Sequence, residues 1–573
     1  MEEKKRDLEL NAALQVVGFG KFQVMMFILL FPVNIFHGAR MTSNYFFMME
    51  EKHRCALPEL TNDTYKVNPD DWLQQLYFNR SIPPSDSCHI YSLNHTFHYD
   101  DNNHPINGSD YLQSCPNGSV YEHDILTNNA VTQLDLVCDK SDLKTHAAMM
   151  LYLGSLLGAT VLGIISDRFG RHVCLMLSVL ILLPCGVGLP WVQHFATLAV
   201  LQFLCGAAST GMFASSFVMG LELVEPKARK VPGLVTQMFF GVGEFLLAAS
   251  FYGLKDWRWV SLIITAPTAF LFSYLWLVPE SLRWLMVHKK YDQVSKVLTR
   301  MAVQNGVELP RGDNGDHEKD LEQLLQSYQA EEEFTTVVSK KDSFLDLFKS
   351  CVLARRTLTI CLNWAVVNLI FYGFTLNAGN LKAGSKYVNF SIGAAVEIPA
   401  HLTTLALVDK IGRKRVHCGL LLLAAIMCAG SVGVALGCDE DQQWIVAILA
   451  MIGKYCSAGL MGTSFLWMTE LFPTSVRSTG LGVGSSCARI GALISPYIVH
   501  YSLDIADPKL GHATPFIVFG LASLLAFVFD LGLPETHGRD APETVEQAKL
   551  FGRESNVEAL RIQHSGSSYG TMD

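Results

Sequence analysis

The sequence predicts an all-α membrane protein of twelve transmembrane helices in two similar six-helix halves. Three observations carry that reading. Only 17% of the 573 residues are Asp, Glu, Lys or Arg, while 50% are apolar; soluble domains carry about 25% charge, so this chain cannot cover several soluble surfaces. Runs of bilayer-crossing length recur along it, and three polar motifs recur in the same order in both halves. A formal charge of −9 leaves no basic stripe for nucleic acid. The 14 Cys include no CxxC pair and no Cys/His cluster at zinc spacing, so neither metal nor cofactor is expected.

A helix needs about 20 mostly apolar residues to cross the hydrocarbon core. Such runs lie near 22–38, 147–165, 173–192, 195–221, 231–252 and 257–278, then near 358–380, 388–408, 416–437, 444–468, 479–501 and 514–533. Pro32, Pro184, Pro267, Pro399 and Pro496 fall inside them, which suits bent helices packed on one another better than isolated anchors. The first run lacks a small-residue cleavage site and continues into Gly38-Ala39-Arg40, so it reads as a span rather than a signal peptide.

Basic residues in the short connections set the orientation. Arg168 and Arg171 follow span 2, Lys227, Arg229 and Lys230 follow span 4, and Lys410, Arg413, Lys414 and Arg415 follow span 8. The opposite connections, Pro190-Trp191-Val192-Gln193 and Cys438-Asp439-Glu440-Asp441, have none. Both termini are therefore expected in the cytosol. The polar segment 50–140 agrees: Asn62, Asn79, Asn94, Asn107 and Asn117 each open an Asn-x-Ser/Thr acceptor, used only on the lumenal side. Cys55, Cys88, Cys115 and Cys138 in the same segment allow three disulfide pairings, which sequence leaves open.

The expected organisation is a cytosolic N-terminus at 1–21, a six-helix half at 22–284, a cytosolic linker at 285–357, a second half at 358–538 and a cytosolic tail at 539–573. The linker, with Glu331-Glu332-Glu333 and Lys340-Lys341, reads as short cytosolic helices, including an amphipathic piece from Leu321 to Leu325. The tail, ending in His564-Ser565-Gly566-Ser567-Ser568, reads as flexible.

The internal repeat is more specific. Asp167-Arg168-Phe169-Gly170-Arg171 follows span 2 and Asp409-Lys410-Ile411-Gly412-Arg413 follows span 8. Glu222, Pro226 and Arg229 follow span 4 as Glu470, Pro473 and Arg477 follow span 10, and Pro279-Glu280-Ser281 ends the first half as Pro534-Glu535-Thr536 ends the second. Tight turns at helix ends explain part of this, but not three motifs in one order. The expectation is a cytosolic latch: carboxylates and arginines pairing across the two halves, formed in one conformation and released in the other. Parallel six-span repeats suit a carrier with a site near the midplane.

These turns resemble those of the major facilitator superfamily. Other stretches resemble solute carrier family 22, the organic ion transporters: Leu134-Asp135-Leu136-Val137-Cys138-Asp139, Pro279-Glu280-Ser281-Leu282-Arg283-Trp284-Leu285, Tyr372-Gly373-Phe374-Thr375-Leu376-Asn377, Val396-Glu397-Ile398-Pro399-Ala400, Thr469-Glu470-Leu471-Phe472-Pro473-Thr474 and Pro534-Glu535-Thr536-His537-Gly538. The resemblance covers nearly the whole chain. It implies the major facilitator fold, a glycosylated first loop, a plasma-membrane location and alternating-access transport of small organic ions. Four first-loop cysteines, rather than the larger mammalian set, are a departure.

Charges at the bilayer centre cost roughly 2.5–3.5 kcal/mol on insertion scales, so they are candidate functional residues. Arg489 in span 11, Lys454 in span 10, Glu244 in span 5 and Glu397 in span 8 qualify, with His401 one turn beyond Glu397. Arg489 either pairs with one of the glutamates to fix packing, or faces a cavity and holds a carboxylate or sulfate with its planar fork. Resemblance implies the second: Cys487-Ala488-Arg489-Ile490-Gly491 is similar to span 11 of anion and zwitterion carriers, whereas cation carriers have Asp there. By the same resemblance Lys454 matches a basic position of anion carriers, Glu244 departs from a neutral one, Glu397 is common throughout the family, and His401 occupies an often basic place. His401 would make transport pH-sensitive. Trp364, Phe371 and Tyr372 share one face of span 7, and Met461 and Phe465 one face of span 10. Such stripes are packing surfaces by default, but beside fixed charge they suit amphiphilic ions. Asn34 and His37 offer polar contacts from span 1.

A membrane enzyme would need a catalytic cluster such as HExxH, and none is present; Gly480-Leu481-Gly482-Val483-Gly484 lies within span 11 and reads as packing, not a phosphate loop. A seven-span receptor has no use for a duplicated six-span half. With no P-loop, three driving forces stay open: exchange for an intracellular anion, proton coupling through Glu244 or His401, and facilitated diffusion. Anion cargo is favoured, zwitterion second and cation third.

Overall fold

The computed structural model describes residues 14, 17–57, 63–66, 78, 81–83, 86–91, 112–225, 230–307, 347–381, 384–438, 442–473, 476–539, 542 and 545–551. Six long helices make the first half: span 1 Lys21–Phe47, span 2 Cys138–Phe169, span 3 Arg171–Trp191, span 4 Phe195–Glu222, span 5 Val231–Leu254 and span 6 Trp257–Leu277. The second half holds span 7 Cys351–Asn380, span 8 Lys386–Ile411, span 9 Arg413–Gly437, span 10 Gln443–Leu471, span 11 Arg477–Leu503 and span 12 Pro508–Asp530. The protein is thus a multi-pass membrane protein. Span 1 outruns its apolar stretch because Arg40, Thr42, Ser43 and Asn44 are buried against protein, not lipid. Thr42 Oγ1 and Ser43 Oγ return hydrogen bonds to the helix at 2.8 and 2.7 Å. A hydropathy window reads these polar residues as an end.

Spans 2 and 4 approach to backbone contact through glycine. A Cβ on Gly154 would lie 1.9 Å from the Phe203 carbonyl, and one on Gly206 1.9 Å from that of Leu151. Spans 7 and 11 do the same at Gly491 against Ala365. Small residues at such crossings let backbones pack where lipid offers no hydrophobic drive.

We call the side carrying the segment between spans 1 and 2 the loop face, and the opposite side the linker face. On the loop face, His53–Cys55 (β1) pairs antiparallel with Ser119–Tyr121 (β4), and His89–Tyr91 (β2) with Leu112–Ser114 (β3). Disulfides join Cys55 to Cys115 and Cys88 to Cys138. His53 lies beside Cys88 and Cys138, but that disulfide removes the thiolates a metal would need. Asn117 sits in an exposed turn; Asn62, Asn79, Asn94 and Asn107 lie outside the described residues.

The linker face displays the repeat. Gly170 and Gly412 adopt φ of +115° and +104°, where an L side chain is strained. A Cβ there would also meet the carboxylates of Glu280 at 2.1 Å and Glu535 at 2.5 Å. Glu280 accepts from the amides of Arg171 and His172 at 2.9 and 3.2 Å, and Glu535 from those of Arg413 and Lys414 at 3.0 and 3.2 Å. Each carboxylate thereby satisfies the free N–H groups opening span 3 or span 9. Arg171 pairs with Asp167 at 3.1 Å and approaches Glu222 at 3.8 Å; Arg413 pairs with Asp409 at 3.5 Å and Glu470 at 3.4 Å. The expectation was pairing across the halves, yet each of these pairs lies within one half. The D-x-x-G-R turn aims its Arg at the next connection of its own bundle, which explains the difference. Arg168 is exposed over its neighbour Phe169, and Arg283 is half-buried. Arg229 and the Arg477 side chain lie outside the described residues.

Beyond span 6, the linker opens with Leu282–Val287 and Tyr291–Asn305; the amphipathic piece at 321–325 lies outside the described residues. The tail reads as flexible from sequence, yet its segment Val545–Leu550 is a short helix with Val545 and Ala548 buried. Arg356 holds it, donating to the carbonyls of Ala548 and Phe551 at 2.7 Å each.

Gly163, on the same helix as Gly154, has nothing within 4 Å of a built Cβ. Gly154→Val should therefore lower the thermal midpoint of the purified protein, by more than the 1–3 kcal/mol typical of overpacking because the clash is with backbone. Gly163→Ala should leave it unchanged. Burial pushes the Glu535 carboxyl up, but the amides of His537, Lys414, Thr536 and Arg413 outweigh this and hold it below the usual carboxylate value. A lowered folded-state value means stability present above the unfolded pKa and lost as pH falls through the folded one. Glu535→Gln should reduce the midpoint at neutral pH and flatten its fall in acid.

Candidate functional site

The two halves meet around a central cavity. Span 1 contributes His37 and Met41, span 2 Tyr152 and Ser155, span 4 Phe213, and span 5 Gln237 and Phe240. From the second half come Trp364, Asn368, Phe371 and Tyr372 of span 7, Glu397 and His401 of span 8, Met461 and Phe465 of span 10, and Arg489 and Ala492 of span 11. Phe465 rides on a π turn at Ser464–Met468, a helix defect frequent at functional sites. It packs edge-on to Trp364 at 4.6 Å between centroids and meets Phe217 of the first half at 5.5 Å. His37 stacks on Phe213 at 4.7 Å and shares a 2.9 Å hydrogen bond with Ser209 Oγ. The walls are thus largely flat and apolar, with few polar groups.

The charges divide in a way their spacing did not reveal. Lys454 Nζ lies 2.7 Å from Glu397 Oε1 and 3.7 Å from Glu244 Oε2, donates to Thr375 Oγ1 at 2.6 Å and sits 3.5 Å above the Phe371 ring centre. All three ionisable residues are at most 3% exposed. Lys454 and Glu244 do not line the central cavity. They line a second, smaller one on its loop-face side with Phe374, Thr375 and Asn377. Arg489 stands apart. It is partly exposed along the central cavity, donates weakly at 3.4 Å to the Ser485 carbonyl of its own helix, and has no carboxylate partner among the described residues. The glutamates that could have quenched it are committed to Lys454.

Asn34 turns away from the cavity and donates to the Thr236 carbonyl at 3.0 Å, tying span 1 to span 5. Phe213, Phe240, Tyr152, Gln237 and Asn368 line the cavity without having been singled out from sequence. Inside uniformly apolar runs no spacing marks an aromatic as cavity-facing. The pairing has a sharp consequence: removing one partner of a buried ion pair strands the others, at about 3–5 kcal/mol. Lys454→Met should cut the thermal midpoint markedly, and adding Glu244→Gln with Glu397→Gln should recover most of the loss.

The sequence profile of the family described as "Sugar (and other) transporter" matches residues 107–547. The "Organic cation transporter protein" of Drosophila melanogaster is 31% identical over 93% of this chain and 93% of its own. "Solute carrier family 22 member 6" of Danio rerio is 33% identical over 76% of this chain and 74% of its own. Among solved structures, the proton:xylose symporter XylE bound to 6-bromo-6-deoxy-D-glucose superposes with a TM-score of 0.54 at 17% identity, covering 72% of this chain and 90% of that one, which supports the fold. "Organic anion transporter 3" of Homo sapiens is 31% identical over 76% of this chain and 76% of its own, so proteins named as transporters of organic cations and of organic anions both stand among the relatives. On these matches, and on the duplicated six-helix halves, the chain belongs to the major facilitator superfamily and within it to solute carrier family 22, the organic ion transporters.

Proposed function

We propose that this protein carries small organic anions across the plasma membrane by alternating access, with both termini in the cytosol and the first loop glycosylated outside. One observation carries the choice of anion: Arg489 lines a largely aromatic cavity and pairs with no carboxylate among the described residues. A guanidinium kept at mid-depth is costly without a counter-charge, and a carboxylate or sulfate on the cargo would supply one through paired N–H···O bonds. Phe213, Phe240, Trp364, Phe371, Tyr372 and Phe465 would hold the apolar body of the cargo by area and ring contacts. The two six-helix halves rock about this site, each kept rigid by its own Arg–carboxylate turn. The linker-face latch residues then act by bracing each half, and Arg229 and Arg477 remain the candidates for pairing across them.

A second reading has its own support. Glu397 lines the same cavity and belongs to a cluster with two carboxyls for one ammonium. A cargo with both a carboxylate and an ammonium, of the carnitine type, would span Arg489 and Glu397. A quaternary ammonium alone would leave Arg489 unpaired and repelled, and so comes third.

Uptake into cells separates these. Arg489→Ala should lower transport of an aromatic carboxylate or sulfate conjugate at least about thirtyfold, the equivalent of about 2 kcal/mol for a lost buried charge contact, with surface expression intact. Undiminished anion uptake in that variant would overturn the site. Glu397→Gln should impair uptake of the zwitterion more than that of the anion under the second reading.

A further inference from the structure

The cluster of Glu244, Lys454 and Glu397 stands between the two cavities. Glu397 faces the central one, while Glu244 and Lys454 face the loop-face one. It also joins the halves, since Glu244 belongs to span 5 while Glu397 and Lys454 belong to spans 8 and 10. Two carboxylates and one ammonium leave one uncompensated negative charge, in a place where each residue is at most 3% exposed. Isolated buried charge is avoided; the group neutralises instead. The geometry shows where a neutralising proton would sit. Lys454 Nζ lies 2.7 Å from Glu397 and 3.7 Å from Glu244, so both carboxyls crowd one ammonium, and Glu244 Oε1 has no hydrogen-bond partner among the described residues.

We infer that this cluster binds one transportable proton, held between Glu244 and Glu397, and that the carrier moves it together with its organic anion. When the loop-face ends part, Glu244 stands in water on the first half and takes up the proton there. Closure then brings a neutral acid, not a second carboxylate, against the Glu397–Lys454 pair of the second half. After closure the proton passes to Glu397 and leaves to water in the central cavity. The pair of carboxylates left on one ammonium then favours reopening of the loop face. One anion and one proton cross together, with no net charge moved. The ionisable groups that line the central cavity with Glu397 include Tyr152 of span 2, Tyr372 of span 7, His401 of span 8 and Arg489 of span 11. Neither tyrosine supplies the missing charge. Arg489 and His401 act on cargo in the same cavity, so the test must separate them.

This inference rests on the organic-anion reading, and the experiment keeps the two apart. In vesicles containing the purified protein, counterflow of an aromatic sulfonate at equal pH reports the carrier itself. A sulfonate stays ionised, so any effect of pH belongs to the protein. An inside-directed proton gradient should then raise sulfonate accumulation about tenfold per pH unit for one-to-one coupling, with acidification inside. In Glu244→Gln the ratio of uptake with and without the gradient should fall to one, while His401→Gln should keep that ratio. Counterflow without any effect of the gradient overturns the proton and spares the anion. Absence of counterflow for a sulfonate, a carboxylate and a zwitterion alike overturns the anion reading. A readout independent of cargo decides the site in that case too. Infrared spectra of the protein at neutral pH should contain a protonated-carboxyl C=O band that vanishes in Glu244→Gln, and its persistence there, or its absence from the parent protein, overturns the proposal.

Discussion

Charge in hydrocarbon is the constraint on which this molecule turns. Within the bilayer a side chain cannot borrow solvation from water, so each ionised group must find a counter-charge, a cavity or a proton. Lys454 is the pivot. By taking Glu397 at 2.7 Å and Glu244 at 3.7 Å it absorbs both intramembrane glutamates and leaves Arg489 as the cation presented to the central cavity. Had either glutamate reached Arg489 instead, the same residues would have made a neutral, purely structural core. The functional reading follows from who pairs with whom, not from which charges are present.

The same economy of charge operates at the linker face, under different rules. There the carboxylates of Glu280 and Glu535 face helix N-termini and water rather than lipid, and they cap spans 3 and 9 across turns that only glycine can make. With Arg171 and Arg413 bound to acids of their own bundles, each half is tied into one body. What joins the halves is different in kind. On the loop face Tyr45 donates to the Lys386 carbonyl and Tyr387 to that of Ile125, Tyr497 meets Met149, and His500 approaches Asp142. The buried Glu244–Lys454 pair joins them at mid-depth as well. The contacts within each half reach backbone-to-backbone packing at Gly154, Gly206 and Gly491. Stiff halves are the mechanical requirement for rocking about a central site.

Much of this was legible without coordinates. Apolar runs of bilayer length located all twelve spans, because hydropathy measures the cost of leaving backbone and side chains in lipid, which depends on local sequence alone. The repeated Asp-x-x-Gly-Arg turns announced the duplication for the same reason: a turn requiring positive φ can be read from its glycine. The errors lay where protein, not lipid, surrounds a residue. Span 1 runs on through Arg40 to Phe47 because tertiary neighbours bury its polar end, and the helix at Val545–Leu550 exists because Arg356 holds its carbonyls.

Sequence by itself therefore determined the number of spans, the two-fold repeat, the family and the short roster of intramembrane charges, since each is written in local composition or spacing. The tertiary structure alone decided the partners. It placed Glu244 opposite Lys454, a contact between residues 210 positions apart in different halves. It also turned Asn34 into a strut and made the arginines brace their own bundles. No periodicity encodes a meeting between distant helices; only packing does.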